Sequence, residues 1–279
     1  TTEYNGLFGW LINAGFNPQV VDLQTAGELR GYKAVVTLVP QLLDPGAAGK
    51  LLRFHAGGGV LVQLLSPGQR SLGGAAAAQA PELARLAALY PVTVSGTYTW
   101  PGLDLRAGAA NLKISGAPQQ TQSYWHESFF TPVLGGPAKL TPLLVERQQP
   151  LGGDGRLVGF SVSGDGAAPR ALLGTHLGSV YNHHSYYTAD AAELTGKRAL
   201  LRSLLSLAGL TPILSTNAVR EEVWARRARG GPLFLFVVND HDAGTIHLNV
   251  GDLLALGLSG ARSYQISDAL SGQSDGARS

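Results

Sequence analysis

The chain has no cysteine and no methionine. Without cysteine there is no disulfide, no thiolate nucleophile and no Cys-ligated zinc. With no methionine even at its start, the chain reads as processed or cut from something longer. Charge is also scarce. Charged residues make up 14%, and 21 Lys and Arg against 19 Asp and Glu leave a formal net charge of +2. There is no basic block and no basic–aromatic alternation, so nucleic acid is not an expected partner. Arg226, Arg227 and Arg229 form a short cluster that suits a solvated strand edge. No apolar run approaches the roughly 20 residues of a membrane-spanning helix. No secretory leader is recognisable. No membrane partner is expected, and the compartment, cytoplasmic or secreted, stays open.

What is present is a 44% hydrophobic chain of 279 residues, enough for one large or two ordinary domains. Residues 17–65 organise it. Lys33–Val39 and Gly59–Leu65 are apolar, β-branched runs, preceded by a shorter one at Gln19–Leu23. Between the long runs, Pro45–His55 places Leu51, Leu52 and Phe54 at helical spacing, behind Asp44 and Pro45 in preferred N-cap and first-turn positions. Short apolar runs alternating with helical patterns predict an α/β fold with a parallel sheet covered on both faces. Ahead of them, Leu7, Phe8, Trp10, Leu11 and Ala14 form one helical face, with Gly15 as its C-cap. A strand should precede that helix in such a sheet, and none is visible. Thr25–Arg30 reads as a short helix capped by Thr25. Gly57-Gly58-Gly59 follows a helix and opens a strand, the reverse of a phosphate loop, so it reads as a cap and tight turn.

After the loop Ser66–Ala78, a helix is predicted over Ala80–Tyr90 and a strand over Pro91–Ser95. From about 96 to 166 helical periodicity fades, and runs such as Asn111–Ile114, Leu140–Val145 and Leu157–Val162 predict a β-rich insertion. Ala171–Tyr181 returns to the sheet, with Ser179–Tyr181 its expected strand, and Ala189–Ala208 is helical. The expected division is an α/β domain over 1–212 and a C-terminal β domain over 213–279. In the second, Val219–Trp224, Leu233–Asn239, Thr245–Val250 and Arg262–Ser267 have strand composition, and residues 239–244 have the composition of a hairpin turn.

Two constellations stand out as substrate-binding candidates. Tyr124, Trp125, His126 and Glu127, followed by Phe129 and Phe130, form the densest aromatic cluster. As a loop it would stack aromatic faces on a sugar while His and Glu bond hydroxyls. The competing reading is that the aromatics anchor the insertion. His183 and His184 sit among Tyr181, Asn182, Ser185, Tyr186 and Tyr187, just beyond a predicted strand, where α/β sheets place ligands. Adjacent histidines without a spaced carboxylate make a poor metal set, so no metal and no cofactor are expected. Ser66, His184 and Glu127 compose a nominal Ser–His–acid set, but Pro67 removes an N–H that an oxyanion hole needs. Asp240 and Asp242 lack the pattern of a calcium loop. Glu127, Glu146, Glu193 and Glu221 are scattered, and no pair suits glycoside hydrolysis.

Gly31-Tyr32-Lys33-Ala34-Val35-Val36, Val39-Pro40 and then Gly57-Gly58-Gly59-Val60-Leu61-Val62 resemble the glutamine-amidotransferase-like middle domain of bacterial β-galactosidases, glycoside hydrolase families 42 and 35. Val20-Val21-Asp22 is similar to the strand before it. Glu221–Arg226 through Leu233–Asn239 resembles their C-terminal β domain. The resemblance covers about residues 4–65 and 170–250 and is weak over the insertion. It implies a flavodoxin-like, class I amidotransferase-like sheet. It also implies an upstream TIM barrel on the same polypeptide carrying the catalytic glutamates, and a homo-oligomer, a trimer, in which this portion walls a neighbour's site. No catalytic residue carries over. Amidotransferase activity is not expected, since its cysteine nucleophile has no counterpart. The alternative is a free-standing carbohydrate-binding or sensing module of the same fold. A self-sufficient hydrolase using Ser66 or the histidine pair is a third reading.

Overall fold

The computed structural model describes residues 2–38, 43–64, 80–100, 103–107, 110–114, 125–133, 136–146, 156–175, 191–216, 221–227, 231–238, 246–258, 264–267 and 274–278. Helix α1 (Thr2–Asn13) is followed by β1 (Ala34–Leu38), α2 (Pro45–Ala56), β2 (Val60–Leu64), α3 (Pro81–Ala87) and β3 (Val92–Trp100). Then come β4 (Leu103–Ala107), β5 (Ala110–Ile114), β6 (Trp125–Pro132), β7 (Lys139–Glu146), β8 (Leu157–Ser163), β9 (Arg170–Leu173) and α4 (Ala191–Ser206). The remaining strands are β10 (Leu214–Thr216), β11 (Glu222–Arg227), β12 (Leu233–Val238), β13 (Leu248–Val250), β14 (Tyr264–Ser267) and β15 (Ser274–Arg278).

The fold is α/β, built on a mixed sheet with small antiparallel sheets beside it. Among the described residues the large sheet runs β1-β2-β9-β8-β7-β4-β5, with β3 and β6 branching from β8. It is parallel across β1, β2 and β9 and antiparallel beyond, so the expected all-parallel sheet holds only for its first three strands. The β-rich middle of the chain continues this sheet edge to edge. Strands 10–15 pair as three two-stranded antiparallel ladders.

The parallel strands explain the helical coverage. β2 is buried at all five positions. Val60, Val62 and Leu64 face the cluster of α1 and α4, while Leu61 faces that of α2 and α3. This is the alternation a strand imposes when both faces are covered. Asp44 caps α2, its Oδ1 accepting from the Ala47 N–H at 2.8 Å. The glycine run is the expected turn, with Gly58 at φ +94° and the Phe54 ring lying where a Gly59 side chain would be. His55 is buried and donates from Nδ1 to the Gly59 carbonyl at 3.0 Å, and burial pushes its pKa down.

Two local expectations fail. Gln19–Leu23 is not a strand: it has no ladder partner among the described residues, and Val20 is 57% exposed. Thr25–Arg30 is not a helix. Asp22 accepts from the Gln24 N–H and the Thr25 hydroxyl, both at 2.9 Å, and this side-chain turn competes with a helical start. Ser66–Ala78, Ser179–Tyr181 and the turn at 239–244 lie outside the described residues.

The end of α1 joins the β-rich tail. Gly15 adopts φ +96°, and its carbonyl accepts from Ile213 at 2.7 Å and Leu214 at 3.1 Å. Asn13 Nδ2 donates to the Glu221 carbonyl at 3.3 Å, and Arg202 Nε to the Ala14 carbonyl at 2.9 Å. A methyl group on Gly15 would collide with the Leu214 carbonyl and lie 2.9 Å from Pro212 Cβ. Gly15→Ala is therefore expected to cost about 1–3 kcal/mol, from strained backbone and overpacking together. A fall in the urea midpoint at unchanged slope checks it.

Candidate functional site

The structure separates the sequence candidates. Tyr124, His183 and His184 lie outside the described residues, as do Ser66, Asp240 and Asp242. Trp125, His126 and Glu127 fall on a strand, not a loop: β6 pairs antiparallel with β3, placing Trp125 opposite Trp100, His126 opposite Thr99 and Glu127 opposite Tyr98. A run of aromatic residues pairs well in a ladder, and that preference outweighs the loop reading. The next residues are structural. Phe129 is buried in the cluster under α1 and α4, and Phe130 in a second cluster with Tyr90 and Phe160.

Glu146 is buried on β7, where burial pushes its pKa up, and Glu221 precedes β11. Among the described residues no three His, Asp or Glu side chains gather to hold a metal.

A concave feature among the described residues lies elsewhere. A groove of ≈ 760 Å³ runs between the extended segment 17–24 and β1. α1 lines it through Tyr4, Leu7, Phe8 and Leu11, and Ala47 of α2 also borders it. Tyr32 Oη donates to Gln19 Oε1 at 2.9 Å, linking the two walls. Lys50 Nζ donates to the carbonyls of Leu23 (2.8 Å), Gln24 (3.3 Å) and Ala26 (2.5 Å), pinning the outer wall to α2. Thr37 is buried on the groove side, its hydroxyl without a partner. The acids here are Asp22 and Asp44. Hydrogen bonds from the Gln24 N–H and the Thr25 hydroxyl hold Asp22 below the usual carboxylate range, and Asp44 is engaged as the α2 cap. Glycoside hydrolysis needs one carboxyl raised and one ionised in the same cleft. What the groove offers is apolar surface from α1 and β1, with polar side chains such as Gln19, Gln24, Tyr32 and Lys33 around it. Sequence reasoning missed it, because its walls come from separate stretches, α1, 17–24 and β1.

No family model matches the chain, and no curated protein does. Solved structures do match its fold. A β-galactosidase from Bacillus circulans sp. alkalophilus aligns with 99% of this chain at 16% identity and a TM-score of 0.59, using 35% of its own length. Gan42B, a GH42 β-galactosidase from G. stearothermophilus, aligns with 99% at 13% identity and a TM-score of 0.58, using 33% of its length. The cold-adapted β-galactosidase from Rahnella sp. R3 aligns with 82% at 13% identity and a TM-score of 0.51, using 30%. The resemblance seen in the sequence thus holds as a resemblance of fold. The chain spans about a third of the length of these enzymes.

Proposed function

We propose that this chain is the non-catalytic portion of a β-galactosidase-like glycoside hydrolase acting on galactosides. Its α/β domain, residues 1–212, is of the flavodoxin-like, glutamine-amidotransferase-like class with the β-rich insertion at about 96–166, and 213–279 is a C-terminal β domain. The supporting observation is the fold match along 99% of the chain, tail included, to about a third of a β-galactosidase. In this reading the catalytic glutamates lie upstream in a TIM barrel of the same polypeptide. This portion contributes scaffolding and subunit contacts in a trimer, and a wall of the sugar site from Tyr124, Trp125, His126, Glu127, His183 and His184.

One feature agrees with a supporting role. β12 exposes a continuous apolar run, Phe234 to Val238, each residue between 36% and 43% exposed. A patch of that kind marks an interaction surface more often than bare solvent.

The test is Trp125→Ala in the complete native polypeptide. Losing a stacking contact of about 1.4 kcal/mol lowers kcat/KM on an aryl galactoside about tenfold. If Trp125 serves assembly instead, light scattering shows a loss of trimer. Unchanged turnover together with unchanged assembly would contradict the sugar-wall role. Hydrolysis of an aryl galactoside by the 279-residue chain alone would overturn the non-catalytic assignment.

A further inference from the structure

The groove between segment 17–24 and β1 combines aromatic rings with side-chain amides. Tyr4 of α1 lines it and is 44% exposed. Phe8, one helical turn on, shares that face, and Tyr32 lines the groove half-buried just ahead of β1. The amides come from segment 17–24. Tyr32 Oη donates to Gln19 Oε1, which leaves Gln19 Nε2 as a donor. Asn17 Oδ1 accepts from Arg226, which leaves its Nδ2 as another. Gln24 is held through its main chain, its N–H bonded to Asp22 and its carbonyl to Lys50, so its side-chain amide keeps a donor and an acceptor. Asp22 accepts one bond at each carboxylate oxygen and has lone pairs to spare.

These groups select a ligand class. Two carboxylates and one ammonium, Asp22, Asp44 and Lys33, line the groove, so an anion gains no net attraction there. A wholly apolar ligand would bury the amides without partners, at a cost. A carbohydrate meets both demands. Its C–H faces stack on aromatic rings, and its hydroxyls both donate to Asp22 and accept from the amides. Thr37 adds a second reason: it borders the groove, is buried, and its hydroxyl has no partner. An unpaired buried hydroxyl is a cost that a ligand hydroxyl removes. The size also fits. The ≈ 760 Å³ of the groove lies within the roughly 300–1,000 Å³ of small-molecule sites. Its β1 wall of five residues is about 17 Å long, room for more than one sugar ring.

We infer that this groove is a carbohydrate-binding site for a neutral oligosaccharide, built from other residues than the candidate sugar wall of Tyr124–Glu127 and His183–His184. Tyr4 and Phe8 carry the stacking, Gln19 and Gln24 bond hydroxyls along the outer wall, and Thr37 pairs with one at the β1 wall. The choice of galactose units rests on the proposed function; the chemistry of the groove asks only for a neutral carbohydrate.

Calorimetric titration of the 279-residue chain with a β-linked galactotetraose tests it, and saturable binding is expected. Tyr4→Ala removes a stacking face and should weaken binding about fivefold. Gln24→Ala removes a hydrogen bond and should weaken it by a similar factor. Both side chains are exposed, so neither change threatens the fold. Thr37→Val should also weaken binding while leaving the urea midpoint unchanged or higher, because its hydroxyl is unbonded in the free chain. A merely structural threonine would not separate affinity from stability in this way. Absence of saturable binding overturns the inference, and so does equal affinity in the parent and all three variants. Binding that survives the groove variants but is lost in Trp125→Ala moves the carbohydrate to the sugar wall, so that this inference falls and the proposed function stands. No binding by the chain, with Trp125→Ala still lowering turnover in the native polypeptide, separates the two in the same way.

Discussion

Phe160→Ala is expected to lower the free energy of unfolding by about 3–5 kcal/mol, the range for a buried aromatic cut to alanine. Phe160 lies on β8 with no exposed surface. Its ring meets Tyr90 edge-on at 6.2 Å and Phe130 at 5.3 Å, both at 80°. Val92, Val162 and Leu172 complete the buried cluster. The ring thus links α3, through Tyr90 just beyond it, to β6, β8 and β9, and its loss empties a cavity bounded by four parts of the chain. Phe160→Leu keeps most of the volume and should cost much less. Urea unfolding of both variants checks the pair. A loss below 1 kcal/mol for the alanine variant would mean the cluster collapses freely.

Arg170→Ala is the second large effect, about 1.5–3 kcal/mol, because it removes charge-assisted hydrogen bonds between a buried guanidinium and a half-buried carboxylate. Arg170 opens β9 and is buried. Its Nη2 lies 2.6 Å from Asp165 Oδ2 and its Nη1 3.3 Å from Oδ1, while Nε donates to the Leu89 carbonyl. Removing the guanidinium takes these donors from the Asp165 carboxylate and from the Leu89 carbonyl. The pair also sets an acid dependence. The hydrogen bond from Arg170 is the main cause that pulls Asp165 down to about 2. A carboxyl lowered from its ordinary value of about 3.9 contributes stability that is complete above that value and is lost as pH falls towards 2. The parent chain should lose stability through that window. In Arg170→Ala, Asp165 returns towards its ordinary value and this component of the loss disappears. Parallel pH–stability curves for the two proteins would contradict the assignment.

The parallel core was legible in the sequence because its signals are local. The apolar run that became β2 is buried on both faces and needs no partner to identify it. The helix between the runs declares its start with Asp44 and Pro45, and the structure confirms the cap. Gln19–Leu23 shows the limit. Its β-branched composition is that of a strand, but a strand also needs a neighbour, and composition cannot supply one. The antiparallel continuation was legible as β and not as part of the same sheet, since pairings such as Leu105 with Glu146 depend on distant segments. The aromatic cluster misled for a related reason. Phe129 and Phe130 are fixed by Leu173, Phe160 and other residues far along the chain, so a dense aromatic run reads equally as binding surface or as core. The groove belongs to no single stretch, since α1, segment 17–24 and β1 all line it.

The central claim is that these residues are the supporting part of a larger galactoside hydrolase, and the intact mass of the native polypeptide from its source cell tests it most directly. The account predicts a mass of about three times the 29.1 kDa of this chain, in line with the 35% share it aligns with in a β-galactosidase. A native polypeptide of 29.1 kDa would contradict it and leave the chain acting alone.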